Sequence, residues 1–138
     1  KISGYEFRRS ISPERFHHLE KLSDILRNGR LNVGNNMKLN DYHNLLDELN
    51  KFREILQNNL SQYDCIITPS AMGEALKGIE YTGSAQLNTT WTLLGYPSIT
   101  LPLFKSKNNL PIGCQFISNK TKDDLLLSIS KKIIQELF

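Results

Sequence analysis

A chain of 138 residues is long enough to bury one core, and its 39% apolar content is that of a globular domain at the polar end. The net charge of +3 is mild, and Lys and Arg are scattered among acids, which argues against a nucleic-acid partner. No apolar run approaches the length of a membrane span and no signal peptide is visible, so no membrane partner is expected.

The first predicted helix opens at Ser12-Pro13-Glu14, with Ser12 as N-cap and Pro13 in the first helical position. Phe16, Leu19, Leu22 and Leu26 recur at helical spacing, and Asn28-Gly29 is expected to end the helix with glycine in the left-handed conformation. Residues 30–39 read as a polar connection containing Gly34-Asn35-Asn36. Asn40 is expected to cap a second helix ending near Gln62, in which Tyr42, Leu45, Leu46, Leu49, Phe52, Leu56 and Leu60 form one apolar stripe.

Cys65-Ile66-Ile67 follows as a short apolar run between Asp64 and Pro69, which suits a strand covered on both faces. Residues 69–87 lack a period and hold Gly73, Gly78 and Gly83; a loop this long inside a compact domain is often functional. A short helix is expected over residues 87–94, stopped by Gly95 and Pro97, then strands over 98–103 and 112–118 joined by a polar turn and therefore antiparallel. Thr121 with Asp124 reads as a capping box for a last helix that turns Leu125, Leu126, Ile129, Ile133 and Leu137 to the core. The expected class is α/β, with three short strands whose open edges suggest a piece of a larger sheet.

Candidate chemistry is sparse. Ser128-Ile129-Ser130-Lys131 has a Ser-x-x-Lys spacing, but it falls on the polar face of an amphipathic helix with no supporting motif. Ser84 in the loop has no base or oxyanion donor that can be named. His17 and His18 are adjacent on a predicted helix and point about 100° apart, which suits surface histidines better than metal ligands. Asp123-Asp124 fits the acid-rich first turn of a helix. Cys65 and Cys114 are too far apart for metal-ligand spacing and read as small core residues in a reducing compartment. No metal and no cofactor is expected. What stands out is the loop from Thr68 to Trp91: it leaves a strand end, where ligand crevices form in open sheets, and Met72, Tyr81 and Trp91 suit an apolar pocket. Trp91 reads equally well as ordinary core beneath the sheet.

In order and spacing, Asp41-Tyr42, Tyr63-Asp64, Thr68-Pro69, Thr82-Gly83, Asn88, Trp91-Thr92, Gly95, Pro97, Leu110-Pro111, Gly113, Gln115 and Asp124-Leu125-Leu126 resemble the C-terminal portion of the amidase signature family. The resemblance covers most of the chain. It implies a mixed sheet flanked by helices, residues 12–62 being a helical approach and 63–138 the strands, pocket loop and terminal helix. It also implies amide hydrolysis by serine acyl transfer, with a lysine and a second serine in a cis peptide relaying the proton, in a cytoplasmic enzyme. This sequence has no Gly-Gly-Ser-Ser-Gly-type segment and no matching lysine, so no catalytic residue is carried over, and an upstream segment of the same protein is the expected source. The chain alone is expected to be inactive. The resemblance makes Thr82, Gly83, Ala85 and Trp91 candidates for the substrate wall, with a small-molecule amide as partner. Ala85 stands where tRNA-dependent amidotransferase subunits tend to carry an acid for the glutamine amine, which favours a general amidase. The alternatives are the A subunit of such an amidotransferase, and a non-catalytic remnant or interaction module that self-associates through its exposed sheet edge.

Overall fold

The computed structural model describes residues 1–137, which divide into two compact units, Lys1–Phe52 and a second beginning at Arg53. The first is helical. Helix α1 (Ile2–Ser10) buries Ile2, Gly4 and Tyr5, an element that no capping signal announces. Helix α2 (Ser12–His17) keeps Pro13 in its first turn but ends at His18, far short of Asn28. After a single 3-10 turn, Leu22 is extended, and the Ser23 hydroxyl accepts from the Leu26 N–H to start the three-residue α3 (Asp24–Leu26). The expected Phe16–Leu26 stripe is therefore split, and Phe16, Leu19 and Leu26 stay exposed.

Gly29 does not terminate a helix; it lies in a π-helical kink (Arg27–Leu31) with φ −93° and ψ −105°, and helix α4 (Asn32–Asn35) follows where a polar connection was expected. Gly34 is used for close approach: a Cβ there would sit 2.2 Å from the Gly4 carbonyl oxygen of α1. Beside this crossing, Arg8 donates to the Gly34 carbonyl at 3.3 Å and the Tyr5 and Tyr42 rings stack with centroids 4.3 Å apart.

Helix α5 (Leu39–Leu60) takes in Asn40 rather than being capped by it, since the Tyr42 N–H already bonds to the Lys38 carbonyl. Leu49 is its buried residue; Leu45, Leu46, Leu56 and Leu60 are half-buried and Phe52 is exposed.

The second unit holds a three-stranded sheet of order β1-β3-β2, antiparallel throughout: β1 (Ile66–Pro69), β2 (Ser98–Lys105) and β3 (Pro111–Ile117). The β2–β3 hairpin is as expected. Its register shifts between Leu101 and Phe104, around Pro102, which has no N–H to give and sits on an edge strand. β1 is not covered on both faces among the described residues: Ile66 and Thr68 are half-buried, while Ile67 is 60% exposed. Helix α6 (Gln86–Leu94) precedes β2, and helix α7 (Asp123–Leu137) closes the unit.

Strand alternation separates two faces. On one, Leu101, Cys114 and Phe116 pack with Leu126 of α7, and Cys65, Ile99, Leu103 and Ile133 surround them. The other carries Thr68, Gln115 and Thr100 as direct cross-strand neighbours. Helix α7 buries Leu126 and Ser130 and half-buries Ile129 and Ile133, whereas Leu125 and Leu137 remain exposed. The capping box does not form: Thr121 has φ 66° and its hydroxyl donates to the Lys120 carbonyl.

Candidate functional site

The residues with candidate chemistry separate clearly in space and environment. Burial pushes the Cys65 thiol up, as do Asp64 and Cys114, and burial pushes Cys114 up as well, so both stay protonated core thiols at neutral pH. The Ser128 and Ser130 hydroxyls each donate back to the carbonyl four residues earlier, at 2.8 Å, which is helix-wall behaviour. Ser84 accepts from the Gln86 N–H at 3.2 Å in the turn that leads into α6. His17 and His18 meet edge to face, 6.5 Å between ring centroids, on the exposed end of α2.

The loop between β1 and α6 starts tightly bound. The Ser70 N–H donates to the Gly113 carbonyl at 3.2 Å, and a Cβ on Gly113 would lie 2.2 Å from the Ser70 Oγ and 2.5 Å from the Thr100 methyl. Gly113 is thus the floor under the loop's first residue. Further on, Glu74 accepts from Asn108 in the β2–β3 turn, and its carboxyl is held below the usual range by hydrogen bonds from Ser106 and Asn108. Met72, Leu76, Ile79 and Tyr81 are exposed.

At the far end, Asn88 on the first turn of α6 closes the loop. Its Nδ2 donates to the Ser70 carbonyl at 3.1 Å, while its Oδ1 accepts from Gln115 Nε2 at 2.7 Å. Gln115 is only 3% exposed, and its Oε1 accepts from the Thr68 hydroxyl at 3.3 Å. Both ends of the loop are therefore tied to one another and to the polar face of the sheet.

The candidates Thr82, Gly83 and Ala85 lie together just before α6. Thr82 and Ala85 are exposed and Gly83 is half-buried at φ 94°. Ala85 precedes the first residue of α6, and its carbonyl accepts from the N–H groups of Asn88 and Thr89. Trp91 is not beside them. It sits near the other end of α6, half-buried, its ring edge to face with Tyr96 at 6.5 Å between centroids. That contact belongs to the helix terminus: the Gly95 N–H bonds to the Thr92 carbonyl and the Tyr96 N–H to the Trp91 carbonyl, a Schellman motif with its hydrophobic pair. Arg53 completes this end, donating to the carbonyls of Leu94 (3.0 Å) and Leu93 (2.8 Å), where a cation complements the helix dipole. A cavity of about 540 Å³ lies in the first unit, lined by Asn32, Val33, Met37 and Asp41 among others, and takes in none of the loop.

Arg53, Ser70, Asn88 and Gln115 were not singled out as site residues from sequence. Asn88 and Gln115 are part of the family resemblance, but their pairing spans 27 residues and has no local signal.

A sheet with α7 on one face, and with α6 and an irregular strand-end loop on the other, is a layered α/β arrangement. The family model described as Amidase matches residues 7–127, and the chain belongs to that family. Curated relatives include the A subunit of the mitochondrial glutamyl-tRNA(Gln) amidotransferase of Ornithorhynchus anatinus, 28% identical over 97% of this chain, and that of Homo sapiens, 31% identical over 81%. The chain spans 29% and 24% of their lengths, respectively. Among solved structures, a crystal structure of an amidase superposes with a TM-score of 0.80 at 23% identity, over 98% of this chain and 33% of that one. A 6-aminohexanoate cyclic dimer hydrolase superposes at 0.72 and 17% identity, over 97% and 33%. These likenesses establish the fold. No helix among the described residues is long and apolar enough to cross a membrane.

Proposed function

We propose that this chain forms sheet and substrate wall of an amide hydrolase, with Thr82, Gly83, Ala85 and Trp91 bordering the bound amide. The observation that carries this reading is the amidase match over residues 7–127, joined to a loop that leaves a strand end and is tied down at both ends. The chemistry is serine acyl transfer: a serine oxygen bonds to the amide carbonyl, the amine leaves with a proton, and water then cleaves the ester. The nucleophile, its partner serine and the lysine base belong to a segment of the protein upstream of these residues. No cofactor enters this scheme, and the place of action is the cytoplasm.

The curated relatives favour a second reading, the A subunit of a tRNA-dependent amidotransferase. Ala85 weighs against it. It offers a methyl group and a carbonyl already engaged with α6, and so has no charge for the amine of glutamine. A third reading, an interaction module, draws on the open edge of β1 with Ile67 exposed, a surface suited to self-association.

The test is ammonia release from acetamide, benzamide and L-glutamine by the full-length protein, beside the 138-residue polypeptide alone. The proposal expects the full-length protein to turn over a simple amide without any companion, and the short polypeptide to be silent. Activity on glutamine that appears only with tRNA and companion proteins would replace the hydrolase reading with the amidotransferase one. Turnover by the short polypeptide would show that the catalytic groups lie within it, and a stable oligomer with no amide turnover by either protein would favour the module.

A further inference from the structure

The side chains that close the loop form a chain with a fixed direction. The Ser70 carbonyl can only accept, so Asn88 must present its NH2 there. Asn88 Oδ1 is then turned towards Gln115 and needs a donor, which Gln115 Nε2 supplies at 2.7 Å. That leaves Gln115 Oε1 facing β1, where the Thr68 hydroxyl donates to it. One orientation of each amide satisfies the series, and reversing either one sets two acceptors or two donors against each other. Gln115 is buried, so water cannot repair a mismatch there.

We propose that Thr68, Gln115 and Asn88 are positioning residues for substrate binding: this one-way relay sets where the loop and the first turn of α6 stand over the sheet, and so where the wall at Thr82, Gly83 and Ala85 stands. The relay touches no substrate. The inference rests on the wall assignment made above, and it goes further by naming what holds the wall. The relay is the device that joins the two loop ends, 18 residues apart, to each other and to β3. The groups it meets on β1, β3 and the loop are Thr68, Gln115 and the Ser70 carbonyl, and none of them titrates between about pH 4 and 8.

Asn88→Asp supplies a test whose sign a general loss of stability would not reproduce. The aspartate keeps the shape but turns a carboxylate oxygen on the Ser70 carbonyl; once protonated it regains a donor and restores the relay. In the full-length enzyme near pH 8, this variant is expected to raise KM about tenfold for whichever of acetamide, benzamide and L-glutamine the wild type turns over. Its kcat is expected to stay within about twofold. Amide exchange over residues 70–86 should rise alongside, while exchange in residues 123–137 stays at the wild-type level. Partial burial and the facing Ser70 carbonyl raise the pKa of that aspartate, and as the pH falls through it the KM ratio of variant to wild type should return towards one. Gln115→Met, which breaks the relay without a charge, should raise KM at every pH. Wild-type exchange over residues 70–86 in both variants would overturn the proposal and leave the wall assignment standing. Raised exchange with an unchanged KM would sink the wall assignment, and this inference with it.

Discussion

Where β3 passes under the loop, one missing methyl group decides the fit. A side chain on Gly113 would collide with the Ser70 Oγ and the Thr100 methyl at 2.2 and 2.5 Å. Gly113→Ala must turn the Ser70 and Thr100 side chains aside or shift the strands that carry them, at a cost of about 1–3 kcal/mol. Urea titration should show that loss as a lower midpoint with an unchanged slope. Glu74 makes a pH prediction. Its folded pKa is lowered, first by Ser106 and then by Asn108, so the unfolded chain holds the proton more tightly. Its contribution is complete above the ordinary glutamate pKa and is lost as the pH falls through the lowered folded value. The Tm difference between wild type and Glu74→Gln should therefore be present near pH 6 and shrink as the pH falls below the ordinary glutamate range, and a difference that grew in acid would contradict this sign. Little of this was legible beforehand. Gly113 and Gln115 are part of the family pattern, but what they touch is set by residues 13 to 47 positions away.

Helix α6 shows how an element's end can be read and its use still missed. Gly95 as a stop was legible, and it stands at φ 71° with open space around its Cα. Gly95→Ala therefore carries backbone strain alone, about 1–2 kcal/mol, and should lower Tm without a cavity or a clash. A neutral result would mean that the Schellman turn relaxes. The aromatic pair at this turn was hidden in the same residues, since Trp91 and Tyr96 stand where that motif places its hydrophobic contact. Periodicity located α5, α6, the β2–β3 hairpin and α7 because each has a face to bury or a sharp stop. It failed over residues 12–36, where Ser23 competes as an N-cap and splits one apolar stripe into several short turns. Ser23-Asp24 was a readable signal. α1 had none, and what buries it is the Gly4–Gly34 contact, which depends on chain brought from 30 residues away.

At the scale of the molecule, the family was legible because its markers run from residue 41 to residue 126, and the amidase match spans 7–127. The sheet is less enclosed than its apolar strands imply, with β1 and β2 as edges among the described residues. A continuous apolar run such as Cys65-Ile66-Ile67 cannot tell one covered face from two, and here Ile67 lies open.

The way the loop is fastened bears on how such a protein can change. Asn88 fixes its two ends, and Glu74 pins it once between them. That divides it into a short arm from Ser70 and a longer arm, from Glu74 to Asn88, which carries Thr82, Gly83 and Ala85. Chain closure between fixed points costs only about 0.6 kcal/mol for each doubling in length. Insertions and deletions in the longer arm can therefore reshape the proposed wall while the sheet, the helices and the fastening points keep their places. On the proposed function, new substrate preferences would become accessible by length change alone, without repacking the core.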